Sequence, residues 1–301
     1  MLYVWQYAES NLTVSYASRV YWVACQSLVM IKLSNIQVET NTMPLRGAGR
    51  IVETLSRTGG FSVNVARRRM LETLQYVLQV TKSLDAIKPG GQGHISSVRV
   101  RLLHAAVRQK ILILAHQRTE YYDVEQFGVP ANDLDCIATI NSFSAVVIWI
   151  SLPRQGLRLS EQEVDDYIAL WRLVAHYMGC PTNVFSTRQK TKAMMESLIM
   201  FEVKPTVSSK ILANNILLAL DNAPPTYAST GFMAALTRRL NGRQLCDALD
   251  IPRATMYYRV LVYGYCIVII AYACAARLVP SFDEKLIAVW PIFFLSFFLF
   301  Y

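Results

Sequence analysis

An arginine–histidine–arginine face inside an apolar run is the feature that most constrains how this chain can fold. The segment from Val98 to Arg108 is rich in valine, leucine and alanine, as a buried helix would be. At helical spacing Arg101 and Arg108 lie on the same face as His104. Guanidinium and imidazole groups are costly to bury without partners. The fold must therefore bring a partner to this face.

Two kinds of partner would satisfy these three side chains. In the ordinary case the histidine packs in the core and the arginines reach solvent or carboxylates; the spacing alone favours this case, because common ion pairs give the same pattern. The other partner is haem, since neutral imidazole ligates iron and arginine donates charge-assisted hydrogen bonds to propionates. The other motifs of the chain are needed to decide between a core histidine and a haem ligand.

Helical spacing and helix-ending residues dominate the rest of the chain. No run shows sustained period-2 alternation with turn signals, so we predict an all-α fold. The predicted helices cover 62–83, capped by Ser62; Ser96 to about His116; Pro130 and Asn132 through Ile150, stopped by Pro153; and 161–178, between the Ser160–Glu163 capping box and Gly179. Further helical stretches are predicted near 184–202, 206–220 and 226–241.

Composition favours contact with a membrane. The chain is 53% hydrophobic and 17% charged, with a mean hydropathy of +0.27. Two uncharged apolar runs, 260–276 and 286–301, lie near its end. The first is close to the roughly 17 to 25 residues that cross a bilayer. A hairpin of two short spans and one span plus an interfacial segment both fit; a buried helix pair is the alternative, and we expect the membrane.

Charge and cysteine spacing exclude several classes of protein. The formal net charge is +9, but no basic stripe is interleaved with aromatic residues, so we expect anionic lipid headgroups rather than nucleic acid. The six cysteines form no C-x-x-C pair, which excludes a zinc ribbon or a thioredoxin motif and favours reduced thiols facing the cytosol. Zinc-protease, nucleophile-elbow and phosphate-loop patterns are also absent.

Five motifs, taken in order, carry a family resemblance over residues 46–255. The set resembles the latex-clearing-protein (rubber oxygenase) family, which includes fungal ER-bound oxygenases of secondary metabolism such as the one in mycophenolic acid biosynthesis. The motifs are Arg69-Met70-Leu71-Glu72-Thr73, the Arg101–His104–Arg108 pattern, Gly128-Val129-Pro130-Ala131-Asn132-Asp133-Leu134-Asp135, Gly156-Leu157-Arg158-Leu159-Ser160, and Leu170-Trp171-Arg172 followed by Gly179.

The resemblance implies a haem protein with a globin-like helical core. By direct match of the motif, His104 would be the proximal ligand of a b-type haem, with O₂ as co-substrate. Arg101 and Arg108 would position the haem or orient the histidine.

The resemblance also implies a distal side formed by Arg69, Glu72 and Thr73, which share one helix face at i, i+3 and i+4. An ordinary surface ion pair between Arg69 and Glu72 is the alternative. Rubber-cleaving members can place a lysine at the position that Glu72 matches. A carboxylate cannot shield bound dioxygen as an ammonium would, although it can serve as a base or an acid. A smaller isoprenoid or polyketide-linked substrate is therefore expected.

From these observations we expect three regions: an N-terminal segment of unclear structure (1–45), a helical catalytic domain (46–255) and a membrane-associated segment (256–301). The expected activity is haem-dependent oxidation or cleavage of a C=C bond in an apolar, isoprenoid-like substrate, in fungal-type secondary metabolism. The expected location is the endoplasmic reticulum membrane, with the catalytic domain in the cytosol. A non-catalytic, membrane-anchored helical protein is the alternative, and a small transporter or channel subunit is a weaker one.

Overall fold

The computed structural model describes residues 50–203, 205–223 and 227–279. Every regular element among them is helical, which confirms the all-α prediction. The N-terminal segment 1–45 and the second apolar run, 286–301, lie outside the described residues. The helices are α1 (Arg50–Arg57), α2 (Val63–Thr81), α3 (Leu84–Ile87), α4 (Gln92–Gln117), α5 (Val124–Phe127), α6 (Asp133–Phe143), α7 (Leu152–Arg154), α8 (Glu161–Met178), α9 (Arg188–Glu202), α10 (Val207–Ala219), α11 (Thr230–Asn241), α12 (Arg243–Ala248) and α13 (Met256–Leu278).

Side-chain caps begin several helices where the sequence predicts them. Ser62 accepts a hydrogen bond from the backbone of Val65 at the start of α2. Asn132 and Ser160 each form a complete capping box, at α6 and α8. Gly179 ends α8 in the left-handed conformation, at φ 76°. These caps depend on residues within one turn, so the local sequence is enough to predict them.

Two predicted helix ends are wrong. The helix of His104 begins at Gln92 rather than at Ser96, and Ser96 is buried inside it, donating a hydrogen bond to Gln79 of α2. Pro153 does not stop the helix that starts at α6, because the chain continues through a π-helical turn, Val147–Ser151, into α7. Proline is tolerated near the start of such a short helical segment.

Helices α2 and α4 approach each other closely where α2 ends and α4 begins. A Cβ atom added to Gly93 would lie 2.6 Å from the carbonyl oxygen of Gln79 and 2.9 Å from Cα of Val80. One turn further on, the Tyr76 hydroxyl lies 3.2 Å from Oγ of Ser97. Since residue numbers fall along α2 as they rise along α4, the two helices are antiparallel. Only glycine permits this separation.

Two large apolar cores and a smaller cluster around Ile111 hold the described helices together. The first surrounds the buried Trp171 of α8, whose ring stacks on Phe143 of α6 at 5.3 Å between centroids. The second surrounds the buried Leu236 of α11. Helix α13 contributes to it through Val262 and Cys266, so α13 is part of the folded structure.

Two described segments are long and apolar enough to cross a membrane, namely 133–154 and α13. In the most apolar stretch of each segment, 67% of 133–154 and 22% of α13 is buried. The first segment therefore has the burial of a core helix. Helix α13 packs one face on α11 and leaves the other exposed, with Val260 60% and Ile267 66% accessible.

Replacing Gly93 by alanine is expected to destabilise the fold by about 1–3 kcal/mol, because the new methyl group meets backbone that cannot move aside. The loss would be measured as a lower midpoint in urea unfolding. Gly264 of α13 is the matched control, since a Cβ there meets nothing within 4 Å. Alanine at Gly264 should leave stability unchanged or raise it by up to about 1 kcal/mol. Equal effects at the two positions would contradict the close contact of α2 and α4.

Candidate functional site

His104 lies half-buried on α4 and faces the start of α6. Its Nδ1 atom is 4.0 Å from Sγ of Cys136. Within the described residues Nε2 makes no hydrogen bond, so this nitrogen is the one left for a ligand. His104 is seven positions after Ser97 and shares its face of α4. That face meets α2 at Ser97, as the contact with Tyr76 shows.

The two flanking arginines are held in different ways. Arg108 donates from Nη2 to the carbonyl oxygen of Ala131 at 2.5 Å, while its Nε atom is buried and has no hydrogen-bond partner among the described residues. Arg101 lies against Gly179, where an added Cβ would be 2.8 Å from the guanidinium carbon. Its charge is thus placed at the C-terminal end of α8, where a cation is favoured by the helix dipole.

Cys136 is a site residue that the sequence analysis missed. It is buried on α6 between His104 and the equally buried Cys180. The hydrogen bond from Cys180 lowers the pKa of the Cys136 thiol most, and the contact with His104 and the charge of Arg108 lower it further. The same hydrogen bond, together with burial, raises the pKa of Cys180. The imidazole therefore faces a sulfur atom that readily accepts a hydrogen bond.

A buried ion pair holds Cys136 in place. Asp135, the residue before it, accepts from Nε of Arg50 at 2.9 Å, and the exposed fractions of the two side chains are only 8% and 10%. Asp135 also accepts from the backbone of Asn132 to complete the capping box of α6. Burial raises the pKa of Asp135 despite the opposing effect of Arg50. This carboxylate thus ties α1 to the first turn of α6.

The antiparallel register of α2 and α4, extended beyond Ser97, would bring Arg69 to the level of His104, with Glu72 and Thr73 one turn away. Tyr76 is opposite Ser97, and moving seven positions along each antiparallel helix brings Arg69 opposite His104. Among the described residues, neither Arg69 nor Glu72 has a hydrogen bond or ion pair with His104.

The side chains of these three residues have partners nearer to them. Arg69 donates from Nη2 to the carbonyl oxygen of Thr58 at 2.7 Å and holds the turn between α1 and α2. Thr73 donates to the carbonyl oxygen of Arg69 at 2.7 Å. Glu72 is 65% exposed and lies 3.8 Å from Arg68 rather than pairing with Arg69.

The proximal residues fit haem. A haem iron needs one axial nitrogen, and His104 offers Nε2. Haem propionates need cationic donors, and Arg108 offers a buried Nε that lacks a partner. Over residues 50–203, 205–223 and 227–279, no three or more histidine, cysteine, aspartate or glutamate side chains are grouped to hold a metal ion. A porphyrin, which supplies four of the iron ligands itself, requires no such group.

Comparisons with known proteins identify the family of this chain. A family model described as the catalytic domain of the ER-bound oxygenases mpaB/B′ and rubber oxygenase matches residues 15–270. This match extends over most of the chain. The chain belongs to the mpaB/rubber oxygenase family.

Two relatives support this membership at low sequence identity. Rubber oxygenase of Streptomyces sp. (strain K30) is 19% identical over 189 residues, which cover 60% of this chain and 44% of the relative. The chain thus matches less than half the length of that protein. A structure of latex clearing protein LCP in the closed state has a TM-score of 0.65 at 16% identity, covering 93% of this chain and 73% of the other. At that identity the likeness shows the fold.

Proposed function

We propose that this protein is a haem b-dependent oxygenase that uses O₂ to oxidise or cleave a C=C bond in an apolar, isoprenoid-like molecule. The observation that carries the proposal is the His104 environment: among the described residues Nε2 makes no hydrogen bond, Nδ1 faces Cys136, and Arg108 has a buried donor without a partner. Ordinary ion pairing does not explain this arrangement, because neither Arg101 nor Arg108 contacts a carboxylate among the described residues.

On the proximal side, His104 would hold the iron through Nε2, while Cys136 fixes the imidazole ring by accepting from Nδ1. Arg108 would donate from Nε to an anionic propionate, and Arg101 would add a second positive charge next to it. When bound, haem would supply O₂ activation and the redox steps that amino acid side chains cannot perform.

We propose that Arg69, Glu72 and Thr73 form the distal side of the haem site. The support is the register of α2 and α4, which would bring Arg69 to the level of His104. Glu72 would hold or deliver a proton at its carboxylate, and Arg69 would keep the segment in place through its bonds to the turn before α2. With a carboxylate where rubber-cleaving relatives can carry a lysine, a short isoprenoid or polyketide-linked chain is the expected substrate. Secondary metabolism of the fungal type is the proposed setting.

We also propose that the exposed face of α13 contacts a membrane. Val260 and Ile267 lie seven positions apart on one face and are 60% and 66% accessible. Tyr257 and Arg259, at the start of α13, are also exposed and suit an interface with lipid headgroups. The proposed location is the endoplasmic reticulum, with the catalytic domain in the cytosol; the free state of the five described cysteines is compatible with that compartment.

One observation favours the alternative of a non-catalytic, membrane-anchored member of the family. Glu72 is largely exposed, and the Nη atoms of Arg69 donate to the turn before α2. In this alternative the chain keeps His104, Arg101 and Arg108 but catalyses no reaction. The alternative and the main proposal differ in the behaviour of Glu72 variants.

Replacing His104 by alanine should remove the axial ligand. Haem retention should fall by more than the roughly 10- to 100-fold typical of losing an outer partner of a ligand. The measurement is the Soret band and haem content of protein expressed with added haem. His116→Ala is the matched control, because His116 is an exposed residue on the same helix. An unchanged Soret band and stoichiometry in His104→Ala would show that haem binds elsewhere or not at all.

Replacing Glu72 by glutamine should lower turnover by about a hundredfold and leave the Soret band intact, because the shape is kept and the proton-carrying group is lost. Substrates would be found by screening isoprenoid and unsaturated lipid chains. Arg68→Gln breaks the same ion pair from its other side and should keep full turnover. If both variants keep full turnover on a confirmed substrate, Glu72 is a surface partner of Arg68 only.

The double substitution Val260→Glu and Ile267→Glu should move the protein from the membrane fraction to the supernatant, since each carboxylate opposes burial in lipid. Liposome flotation of the purified protein measures the shift. Gln109→Glu with Gln189→Glu adds the same charge at exposed sites outside α13 and should not release the protein. Unaltered flotation of the α13 variant would rule out this helix as the membrane contact.

A further inference from the structure

A cavity of about 150 Å³ lies between α6 and α9, near the start of α1 and the end of α11. Its walls are largely apolar. A cavity of this size is large enough to hold a benzene-sized molecule. The apolar side chains that line it are those of Leu134, Val146, Ile150, Met195, Leu198 and Ile199.

Asn141 is the polar exception in the wall of this cavity. Its side chain is 1% exposed, and neither Nδ2 nor Oδ1 has a hydrogen-bond partner within the described part of the chain. A buried amide without partners is destabilising, because both polar atoms lose their hydrogen bonds to water. Asn141 has two donors and an acceptor in one plane, so an occupant with an adjacent donor and acceptor would satisfy both amide atoms together.

The charged groups around the cavity balance one another. Arg50 and Asp135 neutralise each other in their buried pair at 2.9 Å. Arg154 and Glu202 add one positive and one negative charge to the lining. No net charge is therefore presented to an occupant, which favours a neutral molecule.

This cavity is separate from the haem site. On α6 the lining residues Leu134 and Ala138 lie about 200° around the helix from Cys136, which faces His104. Its rim includes Ile199, which is 40% exposed and is followed by the exposed Met200 and Phe201. An apolar molecule could thus reach the cavity across an apolar surface.

We propose that the cavity binds a small, neutral amphiphile whose carboxamide or lactam group pairs with Asn141 and whose hydrocarbon body fills the apolar walls. The pairing is a ring of two hydrogen bonds, in which the ligand N–H donates to Oδ1 and Nδ2 donates to the ligand carbonyl. This site is distinct from the one where oxygen chemistry is expected, and its occupancy does not depend on haem.

The test compares δ-valerolactam with cyclohexanone on the full chain, with and without added haem. Both rings are close to benzene in size, but only the lactam has the N–H. Wild-type protein should bind the lactam at least about tenfold more tightly than the ketone, since about 1.4 kcal/mol corresponds to tenfold and a lost hydrogen bond in a buried site exceeds that. Isothermal titration measures both affinities.

Two variants and one labelled position make the test specific. Asn141→Leu keeps the side-chain size and should remove the preference for the lactam, whereas Ala138→Leu should fill the cavity and weaken both ligands. Methyl NMR of labelled methionines should show the Met195 signal moving with lactam, while Met233, buried in the second core, stays in place.

Several results would overturn the proposal. Equal affinity for the two rings would show that Asn141 does not recognise the ligand, and lactam binding that leaves the Met195 signal unmoved would place it elsewhere. If neither ring binds wild-type protein at its solubility limit, Asn141 is satisfied by buried water and the cavity is not a ligand site. Should Asn141→Leu fail to fold, the comparison of the rings, the Met195 shift and Ala138→Leu still decide.

Discussion

The backbone contact between α2 and α4 is the constraint on which the rest of the site depends. Gly93 allows the first turn of α4 to lie against Gln79 and Val80, where any larger residue would collide with main-chain atoms. Close packing of this kind fixes the register of the pair, because a shift of one residue would bring a side chain into the gap. That register, in turn, governs how the two motif segments on α2 and α4 can meet. The relative position of Arg69–Thr73 and His104 thus depends on a contact that contains neither.

A second constraint acts on α4 through α6. The buried pair between Arg50 and Asp135 joins α1 to the first turn of α6, and Cys136 follows directly. Buried ion pairs add little net stability, but loss of one partner leaves an uncompensated charge that costs about 3–5 kcal/mol. Such a pair favours one arrangement of the helices over its alternatives. In this protein that arrangement puts a sulfur atom beside the histidine that would bind iron.

Much of the fold could be predicted from the sequence because helix ends are encoded locally. Ser62, Asn132, Ser160 and Gly179 each act within one turn of their own position, and each does what the sequence predicts. Ser96 was a wrong choice of cap because the start of α4 is set by tertiary contact, with Gly91 and Gly93 packed against α2 and α3.

The parts of the site that depend on distant residues escaped the sequence analysis. Cys136 is 32 positions from His104 and belongs to no cysteine motif, so only its place directly after Asp135 in a matched turn could have drawn attention to it. The cavity beside Asn141 is built from several helices, and no spacing within one of them signals it. The family resemblance identifies the motif residues. The distances between their side chains can be known only from the folded structure.

The π-helical turn at Val147–Ser151 makes the length of this segment as important as its composition. A π turn contains one residue more than the α-helical path it replaces, so everything after it is rotated by about 100°. With that rotation, Arg154 reaches the carbonyl oxygen of Leu240 at the end of α11 and Gln155 turns inward to become fully buried. Deleting a single residue here would leave an unbroken, more regular helix and yet point both side chains the wrong way. The segment should therefore accept almost no insertion or deletion, even one that keeps its composition.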